Sequence, residues 1–116
     1  MKSPNLVQSF VHAWRGLRYT FTQERNFRIQ VVIGLIVVAV MFLLPFAVWE
    51  RVILLAVIMF VLVLELLNTS IEHLIDLVTP RLHQYVKEVK DVMAGAVLLA
   101  SMFAAIIGAV IFWSHV

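Results

Sequence analysis

Three observations predict that the chain is a small all-α membrane protein with one domain, residues 1–116. Apolar residues make up 63% of the chain and charged residues 14%, against about 45–50% and about 25% in soluble domains. Three long apolar runs follow one another, with most charges outside them. So short a chain cannot bury this much apolar surface in a core. A net charge of +2 argues against a nucleic-acid-binding protein, and the lack of cysteine excludes thiol chemistry.

The three runs predict transmembrane helices, because a helix needs roughly 20 residues to cross the hydrocarbon layer. We expect spans at 29–49, 52–77 and 90–113. Glu65 interrupts the second run, but apolar residues continue at helical spacing as far as residue 77. A very short loop at 49–51 separates the first two spans, which should therefore form an antiparallel hairpin.

Residues 1–28 are predicted to form an amphipathic helix that lies on the membrane surface. Its apolar side chains recur at helical spacing, at Val7, Phe10, Trp14, Leu17 and Phe21. The alternative is a helix packed on a partner protein. Lysine and arginine concentrate in this segment and in the loop at 78–90, so the positive-inside rule places the N-terminus in the cytoplasm and the C-terminus outside.

The third span carries small residues at every fourth position, at Ala96, Ala100, Ala104 and Gly108. This spacing lets helix backbones approach closely in lipid. It favours tight packing within an oligomer over simple tolerance of alanine in an apolar helix.

Glu65 is out of place in an apolar span, because an acidic residue there costs about 2.5–3.5 kcal/mol on insertion scales. Asn68, Glu72 and Asp76 follow on the same helix face. We call these four residues the carboxylate strip. They could pair with arginines of the N-terminal segment in a purely structural role.

Glu24, Lys90 and Asp91 lie at the predicted cytoplasmic ends of the other two spans, at the level of the carboxylate strip. Clustered carboxylates suit Mg²⁺ and a lysine suits phosphate, so the set predicts phosphoryl transfer. The rival hypothesis is a proton-coupled transporter or channel with Glu65 as its relay, which leaves the other charges unexplained. A membrane adaptor without catalysis explains none of them. The sequence has no glycine-rich phosphate loop, and its histidines lack metal-binding spacing.

Three tracts carry a resemblance to a known family: ERNFR at 24–28, ELLNTSIEHLID at 65–76 and VKDVMAGAV at 89–97. They are similar to the ERNFR, ExxNTAIExxxD and AKDxxAGAV elements of the prokaryotic diacylglycerol kinase/undecaprenol kinase family of small membrane lipid kinases. The likeness extends over residues 10–112.

The resemblance implies ATP- and Mg²⁺-dependent phosphorylation of a lipid alcohol in the bacterial cytoplasmic membrane. It implies a homotrimer whose active sites are shared between neighbouring subunits. Glu65 would be the general base, and Asn68 would orient the base or the substrate. Glu24 and Glu72 would hold Mg²⁺, and Lys90 would contact the phosphates of ATP. Further positions match the nucleotide side with less defined roles: Asp76, His83, Asp91, Gly16 and His12.

The acceptor lipid stays open between undecaprenol and diacylglycerol. The tracts at 10–13, 24–28 and 65–73 are more similar to the undecaprenol branch. Asn5 stands where the diacylglycerol branch has an arginine, and Gln30 stands where that branch has an acidic residue. We therefore expect undecaprenol, with diacylglycerol as the alternative.

Overall fold

The computed structural model describes residues 5–81 and 83–116. This part of the chain forms four α-helices: α1 Leu6–Gln23, α2 Arg25–Leu43, α3 Val48–Val78 and α4 His83–Trp113. Helices α2, α3 and α4 are each long and apolar enough to cross a membrane. The predicted all-helical class is therefore confirmed, as are three helices able to span a membrane, whereas the surface location of the N-terminal helix and the trimer stay predictions.

Helix α1 is closed at both ends by side chains. At its start, Asn5 Oδ1 accepts a hydrogen bond from the Gln8 backbone N–H at 2.8 Å, and Gln8 Oε1 accepts from the Asn5 N–H at 3.1 Å. At its end, Arg28 Nη1 donates to the carbonyls of Phe21 and Thr22, at 2.9 Å each. Between α1 and α2 only Glu24 has an extended backbone.

The turn between the first two spanning helices corrects the predicted loop at 49–51, which lies inside the first turn of α3. Helix α2 ends at Leu43, because Pro45 has no N–H to donate and disfavours helix in the residue before it. Helix α3 begins at Val48, with Glu50 Oε1 accepting from the Ala47 N–H at 2.8 Å. The hairpin is antiparallel as predicted, since Gly34 faces Ile58 and Gln30 faces Glu65 across it.

Helices α3 and α4 are both longer than the spans that the sequence indicates, with 31 residues each. A helix of this length extends about 45 Å, against a hydrocarbon layer about 30 Å thick. Helix α4 begins at His83 rather than near residue 90, because backbone hydrogen bonding continues through its polar first turns. Each helix therefore has room to project beyond the hydrocarbon.

Helix α3 is the central element and packs against both α2 and α4. The core sits at the end of the bundle that carries the α2–α3 turn, and its buried members are Met41, Phe46, Leu54 and Ile111. Elsewhere large apolar side chains are exposed on the spanning helices, such as Leu35 and Leu99. An exposed apolar surface of this extent suits lipid or neighbouring subunits as its surroundings.

Polar contacts also fasten this end of the bundle. His115 Nε2 lies 2.9 and 3.0 Å from the two carboxylate oxygens of Glu50. The Phe46 ring meets His115 edge-on at 4.5 Å and Phe112 at 5.0 Å. We call the contact of Glu50 and His115 the clasp. It joins the residues that follow α4 to the first turn of α3.

Candidate functional site

Glu65 lies in the half of α3 remote from the clasp and is buried, with 3% of its surface exposed. The side-chain amide of Gln30, on α2, donates through Nε2 to Glu65 Oε2 at 3.3 Å. One turn further along α3, Thr69 Oγ1 donates to the Glu65 backbone carbonyl at 3.0 Å, so the buried Thr69 hydroxyl is hydrogen-bonded within its own helix. Glu65 is thus a carboxyl group enclosed by protein, with an amide as its partner.

Two further carboxylates lie at the same end of the bundle as Glu65. Glu72 follows Glu65 by two turns on α3, and Asn68 Nδ2 donates to Glu72 Oε1 at 3.4 Å, one helical turn apart. Glu24, the extended residue between α1 and α2, lies at this end because α2 runs antiparallel to α3 with Gln30 opposite Glu65. The three carboxylates, with Asn68, form one polar site at this end of the bundle.

A groove of about 560 Å³ separates α1 from this end of α3. Its walls include ten residues: His12, Ala13, Gly16, Leu17, Tyr19, Thr20, Leu66, Thr69, Ser70 and His73. The rings of Tyr19 and His73 meet edge-on at 5.6 Å. Two of the residues that the sequence assigns to the nucleotide, His12 and Gly16, therefore line a groove beside the turn that carries Glu65.

Other predicted site residues are not brought to the carboxylates within one chain. Asp76 is exposed on α3, and His83, Lys90 and Asp91 are exposed on the first turns of α4. Among residues 5–81 and 83–116, no side-chain hydrogen bond or ion pair joins these four to Glu65 or Glu72. Nor does the described part of the chain place three or more carboxylate or histidine side chains closely enough to hold a metal ion alone.

The donor set nevertheless fits Mg²⁺ bound together with a substrate. Mg²⁺ usually takes one or two protein carboxylates, and substrate phosphates and water complete its coordination. Glu24 and Glu72 offer such oxygens on the side of the cluster away from the hydrocarbon-spanning part of α3. Zinc would require a nitrogen- or sulfur-rich set, which this cluster does not supply.

An apolar cavity of about 450 Å³ runs along α2, α3 and α4. Small residues of α4 form much of one wall, including Ala104, Ala105 and Gly108. Its polar lining side chains are those of Gln30 and Ser101. Gln30 therefore lies between this cavity and the Glu65 carboxylate.

The sequence reasoning missed the partners of Glu65 and Glu50. Gln30 entered it only as a departure from a family pattern, although it is the first polar residue inside the first apolar run and lies opposite Glu65 in an antiparallel hairpin. His115 has no metal-binding spacing in the sequence, and its contact with Glu50 joins residues 65 positions apart. Polar residues at matching depth on neighbouring elements are the signal that indicates both pairs.

Such a site in an all-helical membrane protein, with a buried glutamate and two further carboxylates at the same end of the bundle, is typical of a functional centre rather than of a structural bundle. The family model for prokaryotic diacylglycerol kinase matches residues 11–112. The chain belongs to the prokaryotic diacylglycerol kinase family, a family of lipid kinases. This membership supports the prediction of a lipid kinase over that of a transporter.

Named relatives include kinases of two different lipids. The chain is 42% identical over 107 residues to the diacylglycerol kinase of Synechocystis sp., covering 91% of this chain and 61% of that protein. It is 41% identical over 105 residues to the undecaprenol kinase of Bacillus subtilis, covering 90% and 85%. It is 31% identical over 110 residues to the diacylglycerol kinase of Escherichia coli, covering 95% and 90%. The first two identities are too close to separate the two acceptors.

Proposed function

We propose that the protein transfers the γ-phosphoryl group of ATP to the hydroxyl of a membrane lipid alcohol, with Glu65 as general base. The observation that carries this proposal is the buried carboxylate of Glu65, with Glu72 two turns further along α3 and Glu24 at the same end of the bundle. A base in a dry site and paired carboxylates for Mg²⁺ are the parts that phosphoryl transfer to an alcohol needs.

The depths of these residues suit a lipid acceptor and an aqueous donor. Glu65 follows Val48, the first residue of α3, by 17 residues, which is about 25 Å along the helix. It therefore lies near the far boundary of a hydrocarbon layer about 30 Å thick, where the hydroxyl of a lipid alcohol resides. Glu72 lies about 10 Å further along the helix, at the level of headgroups and water, where ATP can bind.

In the proposed reaction, Glu65 takes the proton from the lipid hydroxyl while the hydroxyl oxygen bonds to the γ-phosphorus of ATP. The bond from that phosphorus to the bridging oxygen breaks, ADP departs, and Glu65 later returns the proton to water. Glu24 and Glu72 would hold Mg²⁺, which would supply positive charge to offset that of the ATP phosphates. Asn68 holds the carboxylate of Glu72 in place by the observed hydrogen bond. A fixed Glu72 would in turn keep the nucleotide at a constant distance from Glu65.

We further propose that the site is completed by a neighbouring subunit of a homotrimer. Lys90 would contact the ATP phosphates, although within one chain it does not reach the carboxylates. Asp76, His83 and Asp91 would lie on the nucleotide side of the shared site. The groove lined by His12 and Gly16, with a volume of about 560 Å³, would take part of the nucleotide.

The preferred acceptor is undecaprenol, with diacylglycerol as the alternative. The tract similarities at 10–13, 24–28 and 65–73 support undecaprenol, whereas the named relatives include kinases of both lipids. The N-terminus and the carboxylate site would face the cytoplasm, where ATP is available, and α1 would lie on that membrane surface. The exposed aromatic side chains of Phe10 and Trp14 support this location for α1.

The test is transfer of the terminal phosphate of labelled ATP by purified protein in lipid, with undecaprenol and diacylglycerol offered separately. We expect label in undecaprenyl phosphate, no turnover by Glu65→Gln, and unchanged thermal protection of that variant by Mg²⁺-ATP. Glu88→Gln, which changes an exposed carboxylate of α4, is the matched control and should be active. Preferred labelling of diacylglycerol would reassign the acceptor, and full activity of Glu65→Gln would remove the base from the mechanism.

Mixing two inactive variants tests the shared site. Glu65→Gln and Lys90→Ala subunits, each inactive alone, should recover part of the native activity when they are dissociated and reassembled together. Recovery requires that one site take Glu65 and Lys90 from different subunits. Mixtures as inactive as their components would show that each subunit builds its own site.

A further inference from the structure

Within the part of the chain that the structure describes, the side-chain amide of Gln30 has a hydrogen-bond partner for its nitrogen but none for its oxygen. Its Nε2 donates to Glu65 Oε2 at 3.3 Å. Its Oε1 is buried and has no hydrogen-bond partner within residues 5–81 and 83–116. Buried amide oxygens are almost always paired, so an unpaired one beside a buried carboxylate indicates a function.

The chemistry of the two groups fixes how the amide faces Glu65. An ionised carboxylate only accepts hydrogen bonds, so the Gln30 amide must present Nε2 to it and leave Oε1 unpaired. A protonated carboxyl group has an O–H that requires an acceptor. Rotation of the amide by half a turn about its last side-chain bond offers Oε1 to that O–H. A glutamine can thus satisfy Glu65 in both protonation states, which neither a pure donor nor a pure acceptor can do.

We propose that Gln30 is the positioning residue of the base, and that its amide reverses its hydrogen bond to Glu65 when Glu65 takes the proton of the acceptor hydroxyl. This inference rests on the proposed role of Glu65 as base. Gln30 itself gains and loses no proton: the hydroxyl O–H bond breaks, the Glu65 O–H bond forms, and the amide only rotates. The unpaired oxygen of the resting state becomes the acceptor that stabilises the protonated state.

The geometry around Gln30 allows this rotation. The side chain borders the apolar cavity of about 450 Å³ between α2, α3 and α4, so its amide is not enclosed on all sides by packed atoms. Neither amide atom has a hydrogen-bond partner other than Glu65 within the described residues. Within this part of the chain, the orientation of the amide is therefore set by Glu65 alone.

The first experiment compares Gln30→Met, Gln30→His and Ser101→Ala with the native protein. Methionine has a similar length but neither donates nor accepts as an amide does, so kcat should fall about 10- to 100-fold. The KM for Mg²⁺-ATP and the thermal protection by Mg²⁺-ATP should not change. Histidine restores a ring N–H donor and should recover part of the lost kcat. Ser101→Ala removes the other polar side chain of the cavity and should keep native kcat.

The second experiment reads the hydrogen bond itself by infrared spectroscopy at acid pH, where Glu65 is protonated. The carboxyl C=O band of Glu65 is identified by its loss in Glu65→Gln. Gln30→Met should shift this band to the higher frequency of a carboxyl group without a hydrogen bond, and Ser101→Ala should leave it in place. A purely structural role of Gln30 predicts no such shift.

The outcomes separate this inference from the proposed function. Native kcat and an unshifted carboxyl band in Gln30→Met, with Glu65→Gln inactive, would overturn the role of Gln30 and leave the base in place. Full activity of Glu65→Gln would overturn the base itself. A loss of kcat in Gln30→Met together with the band shift would support the reversing amide, and the partial recovery in Gln30→His would support it further.

Discussion

Gly34 lies where α2 packs closely against α3, and replacing it with alanine tests the packing of the bundle. A Cβ atom built at Gly34 would lie 3.0 Å from Cγ2 of Ile58. Carbon atoms in ordinary contact lie about 3.5–4.0 Å apart, so one of the two must give by about 0.5 Å. Ile58 has little freedom to do so, because β-branched side chains in helices strongly prefer one rotamer.

The expected size of the effect follows from two opposing contributions. Overpacking by one methyl group costs about 1–3 kcal/mol. Replacing glycine by alanine in a helix interior returns roughly 0.5–1 kcal/mol. Gly34→Ala should therefore lower the free energy of unfolding by up to about 2.5 kcal/mol, with about 1 kcal/mol at mid-range. For a chain of this size the mid-range value corresponds to a fall in Tm of about 3–6 °C.

Thermal unfolding in one detergent, followed by circular dichroism, measures this effect. Gly95→Ala is the matched control, since a Cβ at Gly95 meets no atom within 4 Å, and it should not lower Tm. Ile58→Leu conserves volume and removes the contacting methyl, so the variant with both Gly34→Ala and Ile58→Leu should regain most of the loss. Equal Tm values for Gly34→Ala and Gly95→Ala, or no relief by Ile58→Leu, would refute the close approach of α2 and α3 at this point.

Two further predictions concern the ends of the helices. Arg28→Met removes the side chain that donates to the last carbonyls of α1. Amide hydrogen exchange at residues 21–24 should then be about five-fold faster, which corresponds to a loss of about 1 kcal/mol of local stability. Arg25→Met, which changes an exposed neighbouring residue, should leave the exchange rate unchanged. Glu50→Gln and His115→Gln should each lower Tm, and the two together should lower it by less than the sum because they break the same contact. Kinase activity should persist in both clasp variants, and an activity loss without a change in Tm would contradict a purely structural clasp.

Hydropathy and helical spacing were sufficient to predict the class of the protein and its three spanning helices. These signals are local, because a long run of apolar residues indicates a membrane span whatever the rest of the chain does. The same reasoning placed Glu65, Asn68 and Glu72 on one helix face, and the observed contact of Asn68 with Glu72 agrees with that placement.

Helix ends and contacts between helices were less predictable. The hydrophobic run continues through Pro45, so hydropathy placed the loop too late, whereas backbone hydrogen bonding ends α2 at Leu43. Gln30 and Glu65 are 35 residues apart in sequence, and neither periodicity nor composition reveals their pairing. Lys90 is exposed on α4 and lies apart from the carboxylates within one chain, so its predicted contact with the nucleotide requires the proposed trimer.

The clasp and the proposed site lie at opposite ends of the bundle. At one end Glu50, His115 and Phe46 join the residues after α4 to the α2–α3 turn. Glu65 lies 15 residues beyond Glu50 along α3, which is about 22 Å. Any tilt of α4 about the clasp would therefore displace it far more beside Glu65 than at the α2–α3 turn. The contact that fastens the bundle is thus remote from the proposed chemistry, and the helices beside the proposed base could separate without breaking it.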